Sequence, residues 1–275
     1  SENIFVNKRL LLGILSILVL IICMSLIIKK INLPLHIKAG KITSSSALSV
    51  QAADSLKMGN LLEAKALYQR LINEFPNLPE IMNWEKKVEE INIKLLFSPL
   101  PTPKSILYEI KPGDSLAKIA KGFKTTTELI TKSNNLKGDK ILPGRKIKVW
   151  TAPFSIVVDK SQNTLILKTD EEIIKTYIVS TGINNSTPVG NFKIISKLPN
   201  PTWFKTGAVV APNSPDNILG SRWLGFDLTG YGIHGTTDPQ SLGKQATQGC
   251  VRMSNSDIEE LYTVVPIETE VTIYD

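Results

Sequence analysis

The residues best suited to do chemistry lie in two short glycine-rich strings near the C-terminal end. One is Tyr231-Gly232-Ile233-His234-Gly235-Thr236. The other is Thr247-Gln248-Gly249-Cys250-Val251-Arg252-Met253, which sets Cys250 16 positions after His234. The chain has two cysteines and two histidines. Cys23 lies in an apolar N-terminal run and His36 just beyond it, so His234 and Cys250 stand alone in the remainder. A thiol becomes a good nucleophile when a neighbouring base or cation raises its thiolate fraction. One histidine and one cysteine in glycine-rich surroundings are the minimum parts for that chemistry. Gly249 lets backbone amides approach a substrate carbonyl, as an oxyanion hole requires. Arg252 is placed to meet a carboxylate or to stabilise local backbone. On residue types alone the pair fits cysteine catalysis, and equally a structural histidine beside an inert buried thiol.

The elements that must position these strings read as short strands. Phe154–Asp159 and Thr164–Thr169 alternate around Ser161-Gln162-Asn163, a hairpin pattern. Ile173–Val179 is rich in β-branched residues, and Asn191–Ser196 and Val271–Tyr274 add further strands. One clear helix, Ser256–Val264, follows the capping candidates Ser254 and Ser256 and stops before Pro266. This predicts a mainly-β domain over 154–275 with few helices. The weakly patterned stretch Leu198–Ser221 reads as a loop over the cleft. Trp203 and Trp223 are candidates to line a substrate channel there, although aromatic residues more often fill cores.

Upstream, the patterns change three times. Residues 10–28 run LLLGILSILVLIICMSLII without a charge between Lys8-Arg9 and Lys29-Lys30. At about 1.5 Å per residue this length spans a bilayer core. It exceeds the core of a cleaved signal peptide, and no good cleavage site follows. The expectation is an uncleaved anchor over 1–30. Residues 46–96 carry apolar positions at helical spacing, broken by Gly59-Asn60 and by Pro76 and Pro79. Phe97–Lys104 is proline-rich and reads as an extended linker. Residues 106–150 read strand–helix–helix–strand: Leu107–Ile110, Leu116–Lys121 with Asp114 or Ser115 as N-cap, a second helix from Thr125–Thr127 to Ser133, and Lys146–Trp150.

The formal charge of +7 is uneven. Residues 106–150 are basic, whereas 151–275 carry 9 Lys and Arg against 13 Asp and Glu. A nucleic-acid binder does not place an acidic surplus on its largest domain, so nucleic acid is excluded as partner. The spacing contains no zinc-type Cys/His cluster, disulfide framework or phosphate loop.

Three resemblances follow from these motifs. Pro112-Gly113-Asp114-Ser115-Leu116, Ile119-Ala120, Leu129, Asn134-Asn135 and Pro143-Gly144 together resemble the LysM module, which implies binding to N-acetylglucosamine-containing glycans. Gly113, Asp114 and Ser115, with the residues around Ile141–Pro143, are then the glycan-binding candidates. Ala53–Pro76, with Gly59, Ala64, Tyr68 and Pro76 in place, resembles one tetratricopeptide unit. That implies a helical spacer, or a docking site for a protein partner. The third covers Phe154–Asp275. Val179-Ser180-Thr181-Gly182, Thr187–Phe192, Leu219-Gly220, Ile233–Thr236 and Gly249–Met253 follow the order of the L,D-transpeptidase, or YkuD-like, catalytic domain. The family often has Ser-His before its Gly-Cys pair, where this chain has Thr247-Gln248.

The resemblance implies Cys250 as nucleophile, His234 as its base and Gly235 as the residue whose carbonyl orients the ring. Gly249 and Cys250 amides would form the oxyanion hole, with Thr247, Gln248 and Arg252 lining the substrate site. No metal or organic cofactor is implied. The expected reaction joins peptidoglycan stem peptides through a thioester into 3→3 cross-links. Rival readings are an L,D-carboxypeptidase, attachment of wall proteins by the same site, a sortase-like peptidase and a non-catalytic wall tether. The fold expected is multidomain: an N-terminal transmembrane helix, an α-helical repeat-like hairpin, a small βααβ LysM module and a mainly-β catalytic domain. The expected location is the cell membrane, single-pass, with the catalytic domain on the outer side, against glycan strands and stem peptides.

Overall fold

The computed structural model describes residues 44–205 and 207–275. The expected anchor over 1–30, with Cys23, lies outside the described residues. Among the described residues no helix is long and apolar enough to cross a membrane. Two compact units are present, one ending at Glu85 and one spanning Lys86–Asp275.

The first unit holds α1 (44–57) and α2 (Leu61–Glu74). Gly59 makes the turn between them at φ +82°, a left-handed backbone that favours glycine. Ala64, Tyr68 and Leu71 form the buried stripe of α2 at helical spacing. Two helices with a turn at Gly59 thus occupy the stretch that carries apolar positions at helical spacing. A third helix, α3 (Ile81–Leu96), follows.

The second unit begins within α3. It continues with β1 (Ser105–Glu109), α4 (Leu116–Gly122), α5 (Thr127–Ser133) and β2 (Lys146–Trp150), the βααβ order expected. The strands β1 and β2 pair antiparallel from Ser105↔Trp150 to Glu109↔Lys146. Ser115, not Asp114, caps α4 by accepting from the Lys118 amide at 3.2 Å. Thr126 caps α5 in the same way through the Leu129 amide. Ile110, Leu116, Ile119, Ile130, Ile147 and Val149 close a small core between helices and strands.

The remainder is built from strands: β3 (Phe154–Asp159), β4 (Thr164–Thr169), β5 (Glu172–Ile178), β6 (Thr181–Gly182), β7 (Gly190–Pro199), β8 (Trp203–Lys205), β9 (Ala208–Val210), β10 (Arg222–Phe226), β11 (Gly232–His234), β12 (Gln245–Thr247), β13 (Val251–Arg252) and β14 (Glu270–Tyr274), with α6 (Asn255–Val264) before the last. Eight of them form one mixed sheet in the order β13-β11-β10-β7-β14-β3-β4-β5. The alternation in β3 and β4 buries Phe154, Ile156, Val158, Leu165 and Leu167, as period-two patterning requires. Ile258, Leu261 and Val264 of α6 close the core over the sheet.

The stretch expected as a loop over 198–221 is partly a hairpin. The β7 strand runs on to Pro199, and β8 pairs with β9 through Trp203↔Val210, Phe204↔Val209 and Lys205↔Ala208. Its base is held by the buried Asn217 amide, which donates to Pro201 O at 2.8 Å and Ala211 O at 3.1 Å. Three-residue strands leave too little alternation to read, which is why this hairpin is invisible in the pattern.

The LysM-like segment and the β-domain share one core. Leu96, Leu129, Trp150 and Phe154 belong to a single cluster, and Trp150 stacks on Phe154 at 5.4 Å and 12°. Buried Lys148 donates from Nζ to Leu95 O at 2.6 Å and Ser98 O at 2.9 Å. The proline-rich stretch after α3 carries neither helix nor strand, but both its ends are held. Phe97 packs on the core, and Lys104 Nζ reaches Thr169 O at 3.0 Å and Glu172 at 3.2 Å. The edge strand β5 is covered by α3. Asn92 Nδ2 donates to Ile173 O and Ile174 O, and Glu89 accepts from the Thr176 amide at 2.9 Å. Exposed strand edges are liabilities for association, and this helix satisfies one.

Candidate active site

The two chemical strings meet because their strands are neighbours. The β11 and β13 strands run parallel with Ile233 opposite Val251 and His234 opposite Arg252. Backbone bonds between Ser180 and Arg252 fix the other side of β13. Cys250 is the residue immediately before β13, so it lies beside the start of β11. Its Sγ is 3.5 Å from Gly230 O, and the Gly232 amide also faces the sulfur.

A hydroxyl shapes the turn that presents Cys250. Thr247 Oγ1 donates to Cys250 O at 2.7 Å and accepts from the Gly249 amide at 3.1 Å. Gly249 sits at φ +131°, and a Cβ there would come within 2.7 Å of the Tyr231 ring. Glycine is therefore required twice over, by backbone angle and by space. The Gly249 amide expected in an oxyanion hole is thus bonded to Thr247. The Cys250 amide makes no hydrogen bond within the described residues. Gln248 is exposed beside it.

His234 is 2% exposed. Its Nδ1 lies 2.7 Å from the carbonyl oxygen of Gly235. A carbonyl only accepts, so Nδ1 carries the proton and Nε2 keeps its lone pair. Burial lowers the imidazole pKa to about 4, reinforced by the Arg252 charge and opposed by the Gly235 carbonyl. Burial also pushes the Cys250 thiol up, against the pull of the Gly232 amide and Arg252. Both shifts favour the uncharged forms, so the resting pair is thiol and neutral imidazole.

Gly235 has no room for a side chain, since a Cβ would fall 2.2 Å from Asn255 Oδ1. That oxygen accepts from the Thr236 and Ser221 amides at 3.1 Å each, and Asn255 Nδ2 donates to Thr236 O at 2.8 Å. Asn255 therefore sets the turn whose carbonyl orients His234. Reading the sequence missed it, because nothing local distinguishes an asparagine at the start of a helix from an ordinary capping residue. Arg252 is buried, and its Nη1 donates to Ser241 Oγ at 2.9 Å. Its Nε has no partner. The Arg252 guanidinium thus holds the Ser241 hydroxyl and supplies positive charge near the thiol.

The protein-family model for the L,D-transpeptidase catalytic domain, YkuD, matches residues 153–273. The LysM domain model matches residues 108–150. A protein named as L,D-transpeptidase YkuD in Bacillus licheniformis is 35% identical over 176 residues, which cover 61% of this chain and 98% of that protein. Its namesake in Bacillus subtilis is 34% identical over 175 residues, with the same shares covered. The chain belongs to the YkuD family of L,D-transpeptidases. A further Bacillus subtilis protein, named as L,D-transpeptidase YqjB, is 39% identical over 126 residues, 44% of this chain and 70% of its own.

In this L,D-transpeptidase the LysM glycan-binding candidates cluster at one turn. Gly113 has φ +83°, and Asp114 Oδ2 accepts from Tyr108 OH at 2.9 Å and the Lys111 amide at 2.8 Å. With Ser115 capping α4, both side chains are engaged in holding the turn. Leu142, in the second candidate loop, is 71% exposed.

Proposed function

We propose that this peptidoglycan L,D-transpeptidase acts through Cys250 as nucleophile and His234 as general base. The observation that carries this reading is the Nδ1-to-Gly235 hydrogen bond of a histidine on β11, whose parallel neighbour β13 begins at the residue after Cys250. It leaves the Nε2 lone pair as the one basic site on a buried ring. Such a histidine takes a proton as attack occurs, and need not hold a preformed thiolate.

Cys250 Sγ attacks the carbonyl of the third residue of a tetrapeptide stem, while Nε2 accepts the thiol proton. The Cys250 amide donates to the developing oxyanion. The tetrahedral intermediate collapses, His234 protonates the terminal D-alanine amine, and a thioester remains. The side-chain amine of a second stem gives its proton to Nε2 and attacks the thioester. The thiol returns, and a 3→3 cross-link is made. Water in place of the amine would yield a tripeptide instead.

The remaining architecture serves delivery. The apolar run of residues 10–28 supports a single membrane anchor with the domains on the outer, wall-facing side. The LysM module binds glycan, raising the local concentration of stems around the site. The hairpin of α1 and α2 acts as a spacer or as a protein docking element. Intact-protein mass spectrometry during turnover tests the site assignment. A tripeptide adduct mapped to Cys250 supports it, and an adduct on any other side chain removes it.

A further inference from the structure

We propose that Trp223 is a positioning residue for His234, holding the imidazole plane by stacking on it. This deepens the proposed function and rests on His234 being the base. The β10 and β11 strands pair antiparallel with Trp223 opposite His234 and Gly225 opposite Gly232. Alternation along a strand puts all four residues on one face of the sheet. The Trp223 and His234 rings lie 6.1 Å apart between centroids with 17° between their planes, a stacked arrangement.

The two glycines make room for this stack. A Cβ on Gly225 would fall 2.6 Å from Trp223 Nε1. One on Gly232 would fall 2.8 Å from Cζ2 and 3.0 Å from Cη2 of the same indole. The indole therefore lies flat over the Gly225/Gly232 pair with its far edge above the residue whose amide faces Cys250 Sγ. Any side chain at 225 or 232 would lift it off the sheet. The two opposed glycines thus leave the space in which the indole lies nearly parallel to the His234 ring.

The two constraints on the imidazole are complementary. The Gly235 carbonyl sets the direction of Nδ1, and the indole face blocks rotation of the ring out of that plane. Together they aim Nε2. A flat apolar neighbour also keeps water from that face of a ring that is 2% exposed. Loss of orientation at a reacting group lowers the chemical rate far more than ground-state binding.

The test uses the full chain with Trp223→Ala, Trp223→Leu and Trp223→Phe, each checked for native structure by circular dichroism. Acylation kcat and KM are measured on a tetrapeptide donor, and His234 is followed by ¹⁵N NMR. Trp223→Ala and Trp223→Leu should lower kcat on the order of 10- to 100-fold with little change in KM. Trp223→Phe, which keeps a planar face, should recover most of the rate. The NMR spectrum should show Nδ1 protonated in the parent and a mixed tautomer in the alanine variant. If Trp223→Ala does not fold, the leucine and phenylalanine pair still decides. Equal kcat for Leu and Phe overturns the stacking role, as does a rise in KM at unchanged kcat, which would make Trp223 a substrate contact. His234→Gln separates the two ideas: full activity in that variant removes the base assignment itself, whatever the Trp223 variants do.

Discussion

The Nδ1 of His234 lies 2.7 Å from the carbonyl oxygen of Gly235, its own chain neighbour, in a site where the ring is buried. The bond fixes the tautomer, and burial keeps the ring neutral with a pKa of about 4. The acid limb of kcat/KM should therefore lie well below the ordinary histidine range, with activity level from about pH 5.5 to 8. A limb at 6.5 or above, measured on a tetrapeptide donor, would contradict the neutral resting pair.

The same shift links pH to stability. The folded-state pKa is depressed below the unfolded value of 6.5, so the unfolded chain binds the proton first as pH falls. The stabilisation is complete above pH 6.5 and is lost on the way down to pH 4. A shift of this size corresponds to about 3 kcal/mol at most. Urea denaturation across pH 7 to 4 should show this loss, and His234→Gln should show a shallower one. Parallel curves for the two proteins would mean that other groups carry the acid sensitivity.

Thr247 bonds both the Gly249 amide and the Cys250 carbonyl through one hydroxyl. Thr247→Val keeps the shape and leaves both backbone groups without that partner. It should cost about 1–3 kcal/mol of stability and lower kcat roughly tenfold. Thr247→Ser should stay close to the parent. The pair of variants separates hydroxyl from bulk, since equal losses in both would rule the hydrogen bonds out as the cause.

Asn92 covers the β5 edge from α3, at the end of the sheet order opposite β13. Asn92→Ala should lower the denaturation midpoint by an amount worth about 1–3 kcal/mol while leaving kcat of the folded protein unchanged. An unaltered midpoint would show that water replaces the side chain at no cost.

What the sequence revealed and hid follows from the range of each interaction. His234 and Cys250 stood out because rare residue types sat in glycine-rich strings. The strands with full alternation, such as Phe154–Asp159 and Thr164–Thr169, were legible for the same local reason. Strands β11, β12 and β13 are two or three residues long, so no period marks them. Asn255 under Gly235, Trp223 against His234 and Asn92 on β5 are contacts made by register and packing across the fold. Asn255 lies 20 positions from Gly235, and Asn92 81 from Ile173. The family order supplied the role of Gly235. It also assigned the Gly249 amide to an oxyanion hole, whereas that amide bonds Thr247, a difference of side-chain geometry that motif order does not encode.

In the proposed reaction one thiol and one neutral imidazole perform the transfer. The most direct measurement is incubation of the full chain with disaccharide-tetrapeptide, followed by product analysis by mass spectrometry, beside Cys250→Ala and His234→Gln. The parent protein should give a dimer that has lost one D-alanine, Cys250→Ala none and His234→Gln at most a trace. Dimer formed at the parental rate by Cys250→Ala would contradict the proposed reaction.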